Sequence, residues 1–202
     1  MTNQEYRSLP RVSNSDLSRF EDALFGANRP APVQAFAFGS ALHELILEPH
    51  TIHQLPEGLD VQTLQTMAQK VRQHPTAAWA LQWSVKEKIV LWECPVTGLP
   101  LKSKLDLVYR GSTVYDLKST AATSQSEFER AAKRYQYDRQ AAFYLDSVQA
   151  KRYIIIGIQK AAPHQIYTIQ ATAHDVFITK GRDRYTKLLQ AFKAANQKLP
   201  NK

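Results

Sequence analysis

The stretch that decides the fold runs from Leu105 to Lys118 and reads LDLVYRGSTVYDLK. Arg110-Gly111-Ser112 is turn chemistry between two segments of strand-like period. Leu101–Tyr109 and Thr113–Leu117 are therefore predicted as adjacent antiparallel strands. Asp106 lies in the first, and Asp116 and Lys118 follow the turn. Residues at i and i+2 of a strand share a face, so Asp116 and Lys118 project together. The turn brings Asp106 to the same spot. Both aspartates interrupt apolar runs (Leu105, Leu107, Val108; Val114, Tyr115, Leu117), where a carboxylate without a partner is costly. Two carboxylates and a lysine suit a hard cation, Mg²⁺ or Mn²⁺, with positions left open for water and a phosphate. The lysine can orient an attacking water or neutralise charge that develops on a phosphorane. The competing reading is plain: a D-x-K triplet is common, and a strand aspartate is often only a turn or edge residue.

Upstream, Lys86–Cys94 continues the strand period, and Pro95-Val96-Thr97-Gly98 supplies a turn, which completes a three-strand meander. Downstream, helices are predicted over about Ser124–Arg134 and Tyr137–Val148. Strands follow at Arg152–Gln159 and Gln165–Gln170, separated by Ala161-Ala162-Pro163, and a last helix spans about His174–Asn196. The first half is helical: about Ser15–Leu24, capped by the Ser13-Asn14-Ser15-Asp16 cluster, then Phe38–Glu48, Asp60–Gln73 and Thr76–Trp83. Asn28–Pro32 breaks the first two, and Pro49 stops the second. The pattern is that of one α/β or α+β domain, a central mixed β-sheet flanked by helices. It divides into a helical part to about residue 85, a sheet core to about 170 and a closing helix.

Composition narrows the partners. The chain has 202 residues, of which 44% are hydrophobic and 22% charged, so disordered and collagenous readings are out. Its net charge is +8 and its pI about 9.6, which favours a polyanionic partner. A lone cysteine, Cys94, forbids an internal disulfide and fits a reducing, cytoplasmic location. The opening MTNQEYRSLP lacks the apolar core of a signal peptide, and the longest strongly apolar run, Tyr153–Ile158, is too short to span a bilayer. A soluble protein with no membrane partner is expected. No G-x-x-x-x-G-K-[ST] signature is present, so no ATP motor is built in.

The Asp, a gap of about ten residues, and then Asp-x-Lys together resemble the PD-(D/E)XK nuclease superfamily. Phe38-Gly39-Ser40-Ala41-Leu42-His43-Glu44-Leu45 is similar to the G-x-x-x-H helix of the branch that holds the nuclease domains of RecB and RecE. Gln140-Ala141-Ala142-Phe143-Tyr144 is similar to its Q-x-x-x-Y motif. Val12-Ser13-Asn14-Ser15-Asp16-Leu17-Ser18, Asp116-Leu117-Lys118-Ser119-Thr120 and Tyr137-Asp138-Arg139 resemble RecE-type exonuclease domains of phage and prophage origin. The resemblance covers about residues 10–170, and its four motifs stand in order. Two departures exist: Leu105 stands where the superfamily name has proline, and Asp116 where glutamate is common.

The resemblance implies a restriction-endonuclease-like core and a metal-dependent DNA exonuclease, with a site made residue by residue. His43, Asp106 and Asp116 would hold Mg²⁺ or Mn²⁺, helped by the Leu117 carbonyl. Lys118 would be the catalytic lysine. Gln140 and Tyr144 would face the site and the DNA from one side of a helix. It further implies double-stranded DNA ends as substrate, 5′-to-3′ digestion, a ring-shaped homo-oligomer and a single-strand annealing protein as partner. The alternatives are a nuclease of single-stranded ends, an endonuclease, and a catalytically silent module that binds DNA or a partner.

Arg130, Lys133, Arg134 and Arg139 bracket Tyr135 and Tyr137 just after the D-x-K strand. Cations among aromatics suit a phosphate backbone and stacked bases, so these four are the expected DNA contacts; the competing reading is a solvated helix face. His43 shares its helix with Phe38, Leu42, Leu45 and Ile46, where a lone histidine is usually a core residue. Glu44 points about 100° away, toward solvent or a basic side chain. Trp79, Trp83 and Trp92 are expected in the core, and Cys94 as an inert buried thiol. The other five histidines show no ligand spacing, and no CxxC pair is available for zinc or an iron–sulfur cluster.

Overall fold

A computed structural model describes residues 1–26, 33–50 and 55–197. The expected breaker at Asn28–Pro32, His53 and the terminal Lys198 lie outside the described residues. Among the described residues eight helices and five strands are formed: α1 (Asn3–Ser8), α2 (Asn14–Phe25), α3 (Val33–Leu47), α4 (Val61–Gln73), α5 (Pro75–Trp83), β1 (Val85–Glu93), β2 (Pro100–Tyr109), β3 (Thr113–Thr120), α6 (Gln125–Arg134), α7 (Tyr137–Val148), β4 (Arg152–Gln159), β5 (Ile166–Thr172) and α8 (Val176–Gln197). Caps fix several boundaries. Ser13 and Asp16 form a capping box at the start of α2, Asp60 accepts from the Thr63 N–H at α4, and Ser124 accepts from Glu127 N–H at α6. α3 ends at Leu47 because Pro49 pushes the residue before it out of the helical region.

The strands form one sheet in the order β1-β2-β3-β4-β5. β1, β2 and β3 are the antiparallel meander, whereas β3 and β4 run parallel from Thr113↔Arg152 to Thr120↔Gln159. That pairing carries β3 to Thr120, three residues past its expected end. α6 and α7 make the crossover that a parallel pair requires. The mixed sheet is as the sequence implies.

Each face of the sheet buries its own apolar cluster. One holds Leu17, Leu105, Phe128, Phe143, Tyr153, Ile155, Ile178 and Leu189, under α2, α6, α7 and α8. The other holds Leu42, Leu45, Ile46, Leu64, Met67, Leu107, Leu117 and Ile156, under α3, α4 and α5. Burying one such side chain contributes about 1.5–3 kcal/mol. Two glycines allow close approach. At Gly157 an added Cβ would stand 2.5 Å from the Phe128 ring. At Gly181 it would collide with the backbone of Asp138, so α8 can cross the start of α7 only because no side chain intervenes.

Three expectations about side chains need correction. Trp79 and Trp83 are 41% and 59% exposed rather than core residues, because α5 lies at the rim and turns that face outward. Trp79 still lays one edge against Tyr109, and Trp92 packs inward, edge-on to Phe143. The period of the last helix predicts an apolar stripe of Val176, Phe177, Tyr185, Leu188, Leu189 and Phe192 against the sheet, but Val176 is exposed, being the first residue of α8. Cys94 is buried, as expected. Among the described residues no helix is long and apolar enough to cross a membrane.

Candidate active site

β2 and β3 pair over only three rungs, Leu107↔Tyr115, Val108↔Val114 and Tyr109↔Thr113. The next rung would join Asp106 to Asp116, and there the strands part. The two aspartates thus stand at the crotch of a fork in the sheet. The N-terminal segment enters the gap: Val12 N–H donates to Pro100 O at 3.0 Å, and Lys102 N–H donates to Val12 O at 2.9 Å. Lys102 is buried, and its ammonium donates to the carbonyls of Tyr6, Arg7 and Leu9, each at 3.0 Å. The cation therefore caps α1 and holds it against β2.

Parting the strands leaves the backbone of Leu117 without a strand partner on that side, and site side chains take its place. Asp106 Oδ2 accepts the Leu117 N–H at 2.8 Å. His43 Nε2, from α3, lies 2.5 Å from the Leu117 carbonyl oxygen and donates to it as the Nε2–H tautomer. The other ring nitrogen, Nδ1, is 3.6 Å from Asp106 Oδ2. Buried polar backbone must be paired, so these contacts follow from the fork itself. They also gather an imidazole, a carboxylate and a carbonyl oxygen.

Asp116 and Lys118 project from the opposite face of β3, as alternation requires, and Lys118 Nζ lies 2.5 Å from Asp116 Oδ2. Gln140 Nε2 donates to Asp116 Oδ1 at 3.4 Å and reaches the Tyr144 hydroxyl one turn along α7. The expected convergence of His43, Asp106, Asp116, Leu117, Lys118, Gln140 and Tyr144 is therefore what the fold builds.

The electrostatics split the two carboxylates. Burial raises the pKa of Asp116, and Asp106 adds to it while Lys118 opposes. Burial also acts on Asp106, but His43, Lys118 and the Leu117 N–H outweigh it and hold its pKa below the usual carboxylate range. Burial works against a charged His43, yet Asp106 wins and its pKa is raised. For Lys118 burial is likewise overcome, by Asp116 and then Asp106, so its ammonium is firmly protonated. Tyr144 is pushed up to about 12 by burial and by Asp116. Access is one-sided: the side chains of His43 and Asp106 are 27% and 13% exposed, that of Asp116 only 3%.

Two site residues were missed in the sequence. Tyr153 of β4 is buried with its hydroxyl against Asp116, and burial and then Asp116 raise its pKa. The signal was a hydroxyl-bearing residue beside Ile154-Ile155-Ile156 on a central strand. Tyr6 of α1 neighbours Tyr144, and burial and then Tyr144 raise its pKa. No short-range pattern links α1 to the site.

The four expected DNA contacts divide. Arg130, Lys133 and Arg134 are exposed along the end of α6. Arg139 is not available to DNA: it is buried, ion-paired to Glu21 at 2.6 Å, and donates to Ser18 Oγ at 2.5 Å. It precedes Gln140 by one residue and so points about 100° away from the site, onto α2. Glu44 lies near Lys104, whose ammonium is lowered by burial against the pull of Asp106, Glu48 and Glu44.

The chemistry of the donor set fits a divalent cation. Asp116 Oδ2 is buried without a well-formed hydrogen bond, although Lys118 is close; the Leu117 carbonyl follows on the same strand, and Asp106 of β2 and His43 of α3 meet that residue's backbone. Among the described residues no three His, Cys, Asp or Glu side chains form a ready-made metal cluster. Counted with the Leu117 carbonyl, His43, Asp106 and Asp116 offer four candidate donors.

Comparisons with known proteins agree with this fold. Residues 58–200, well over half of the chain, match the family model described as PDDEXK-like domain of unknown function (DUF3799). No curated protein matches the sequence. Among solved structures, a candidate exonuclease from Eubacterium rectale superposes with a TM-score of 0.68 at 15% identity, covering 94% of this chain and 85% of that one. A phage-related exonuclease from Haemophilus somnus 129PT gives 0.52 at 13% identity, over 91% and 83%. An alkaline exonuclease from Laribacter hongkongensis gives 0.50 at 14% identity, over 96% and 94%. At such identities the likeness establishes the fold. With the family model covering the strands, α6, α7 and α8, the chain belongs to the PDDEXK-like family.

Proposed function

We propose that the chain is a divalent-metal-dependent nuclease that hydrolyses phosphodiester bonds at the ends of linear double-stranded DNA. The observation that carries this reading is the convergence at the β2–β3 fork of His43, Asp106, Asp116 and the Leu117 carbonyl beside a charged Lys118. Those four groups would hold Mg²⁺ or Mn²⁺, hard cations suited to oxygen ligands. The ion, when bound, supplies Lewis-acid polarisation of the scissile phosphate. Lys118, whose ammonium is held by Asp116 and then Asp106 in the metal-free protein, donates to negative charge that develops on the phosphate. Gln140 and Tyr144 orient Asp116, and Tyr144 keeps its proton at neutral pH. Arg130, Lys133 and Arg134 bind the phosphate backbone beside the site.

The structural neighbours named as exonucleases support action at ends. The RecE resemblance adds 5′-to-3′ polarity, a ring-shaped oligomer, an annealing partner and a cytoplasmic role in recombination to the proposal. The test is digestion of end-labelled linear and covalently closed duplex DNA with Mg²⁺, with Mn²⁺ or with EDTA. Linear DNA should shorten from its ends with either metal, closed circles should survive, and EDTA should stop the reaction. Intact linear DNA under all three conditions would leave the silent binding module as the reading.

A further inference from the structure

The turn between α6 and α7 carries a column of rings and cations that leads from the site to solvent. Lys118 Nζ lies 5.4 Å from the centroid of the Tyr137 ring. Tyr137 stacks on Tyr135, with centroids 6.0 Å and planes 27° apart. The Arg134 guanidinium lies 5.8 Å from the Tyr135 ring. Such offset stacking and cation–ring geometry is favourable and fixes the rings.

The backbone is bent to make this column. Gln136, between the two tyrosines, adopts a left-handed conformation at φ 54°, which a residue with a Cβ rarely takes. Its side-chain amide donates to Glu21 at 3.3 Å and ties the turn to α2. The outcome is that successive aromatic residues stack on one another instead of diverging. Tyr135 is nevertheless 61% exposed. Beside it, Lys133 and Arg134 are exposed and have no carboxylate partner among the described residues, whereas Arg130 has Glu127 at 3.9 Å. A fixed, half-open ring flanked by free cations has the chemistry of a single-strand platform: the ring takes a base face, the cations take the backbone.

We propose that Tyr135, backed by Tyr137, is a stacking platform for an unpaired base of the strand whose phosphate reaches Lys118. The proposal rests on the nuclease reading and narrows its substrate to DNA ends with a short single-stranded segment beside the cut. Paired bases inside a duplex are stacked on each other and cannot offer a face to Tyr135. Loss of one base–aromatic stack weakens binding by about 5- to 150-fold.

The experiment uses oligonucleotides with 2-aminopurine at successive positions near one end, bound in EDTA so that nothing is cut. With the wild-type chain, fluorescence should be quenched at one or two positions. Tyr135→Phe should keep that quenching, and Tyr135→Leu should lose it and bind about tenfold more weakly with an unchanged salt slope. Arg134→Ala should keep the quenching and lower the salt slope by about one. A duplex with a two-nucleotide overhang should bind the wild-type chain more tightly than a blunt one, a preference that Tyr135→Leu erases. Quenching or overhang preference that survives in a well-folded Tyr135→Leu protein overturns the proposal. The same oligonucleotides with Mg²⁺ read the nuclease separately: quenching without cleavage removes the nuclease reading and keeps the platform, and cleavage without quenching does the reverse.

Discussion

The two ends of the β2–β3 pair differ in kind. From Leu107 to Tyr109, opposite Thr113 to Tyr115, the strands form an ordinary antiparallel ladder. One rung further, the ladder stops, and Asp106 and Asp116 face a gap that the backbone does not close. The regular end is built by strand period and turn chemistry. The open end is built by side chains that substitute for backbone: Asp106 on the Leu117 N–H, His43 on its carbonyl. Stability and chemistry are thus separated along one pair of strands. The rule that fails at the open end, continuous pairing, fails where the proposed metal site would need carboxylates and a carbonyl to meet.

Substitutions at the open end should damage reaction more than fold. Lys118→Ala should lower single-turnover cleavage by about 10²–10³-fold at saturating enzyme, with DNA affinity nearly unchanged, because in the proposed reaction its charge would act on the transition state. A variant that cuts at the wild-type rate would remove Lys118 from the chemistry.

Arg139 and Arg134 sharpen the contrast between buried frame and working surface. Arg139→Ala leaves Glu21 only the Gln136 amide and should cost about 3 kcal/mol in denaturant unfolding, the low end for a broken buried pair, since Glu21 keeps that bond and some solvent contact. Arg134→Ala should change stability by no more than about 0.5 kcal/mol and act only on DNA binding. Equal stabilities would return Arg139 to the surface set.

Gly157 stands opposite Lys118 in the parallel register, and the Phe128 ring fills the space where its side chain would be. Gly157→Ala should cost about 1–3 kcal/mol by overpacking. A neutral result in thermal unfolding would mean that the open end is loosely packed.

The smallest effects separate the two carboxylates in the metal-free protein. The pKa of Asp116 is raised, so it favours folding below its ordinary pKa, and that contribution is lost as pH rises through the folded value. At neutral pH Asp116→Asn should therefore leave the metal-free melting temperature equal or higher. The pKa of Asp106 is lowered, so its contribution is present above the ordinary carboxylate range and is lost as pH falls through the folded value. Asp106→Asn should lower the melting temperature at neutral pH, by an amount that shrinks toward acid. Shifts of the same sign in melts with EDTA would contradict the fork as described.

What was legible in the sequence follows the same division. Strand period and the Arg110-Gly111-Ser112 turn place Asp106, Asp116 and Lys118 without outside help. His43, Gln140 and Tyr144 are distant in the chain from the D-x-K strand, and only family resemblance joins them, and the Leu117 carbonyl, to the site. The fork itself was invisible, since alternation predicts where side chains point and not where pairing stops. Tyr153 and Tyr6 enter through the β3–β4 register and the Lys102 clamp on α1, both long-range facts. The burial of Arg139 escaped because a run of cations gives no sign of which member meets Glu21, 118 residues away. Trp79 and Trp83 show the converse, large aromatics at a rim that composition would assign to a core.

The central claim is that the open end of β2 and β3 gathers one divalent-cation site. Titration of Mn²⁺ by electron paramagnetic resonance, on the wild-type chain and on His43→Ala, Asp106→Asn and Asp116→Asn, tests it most directly. The account predicts saturable uptake by the wild-type chain, weakened in each variant while circular dichroism stays native. Wild-type protein that takes up no Mn²⁺, or folded variants that bind it as the wild type does, would contradict it.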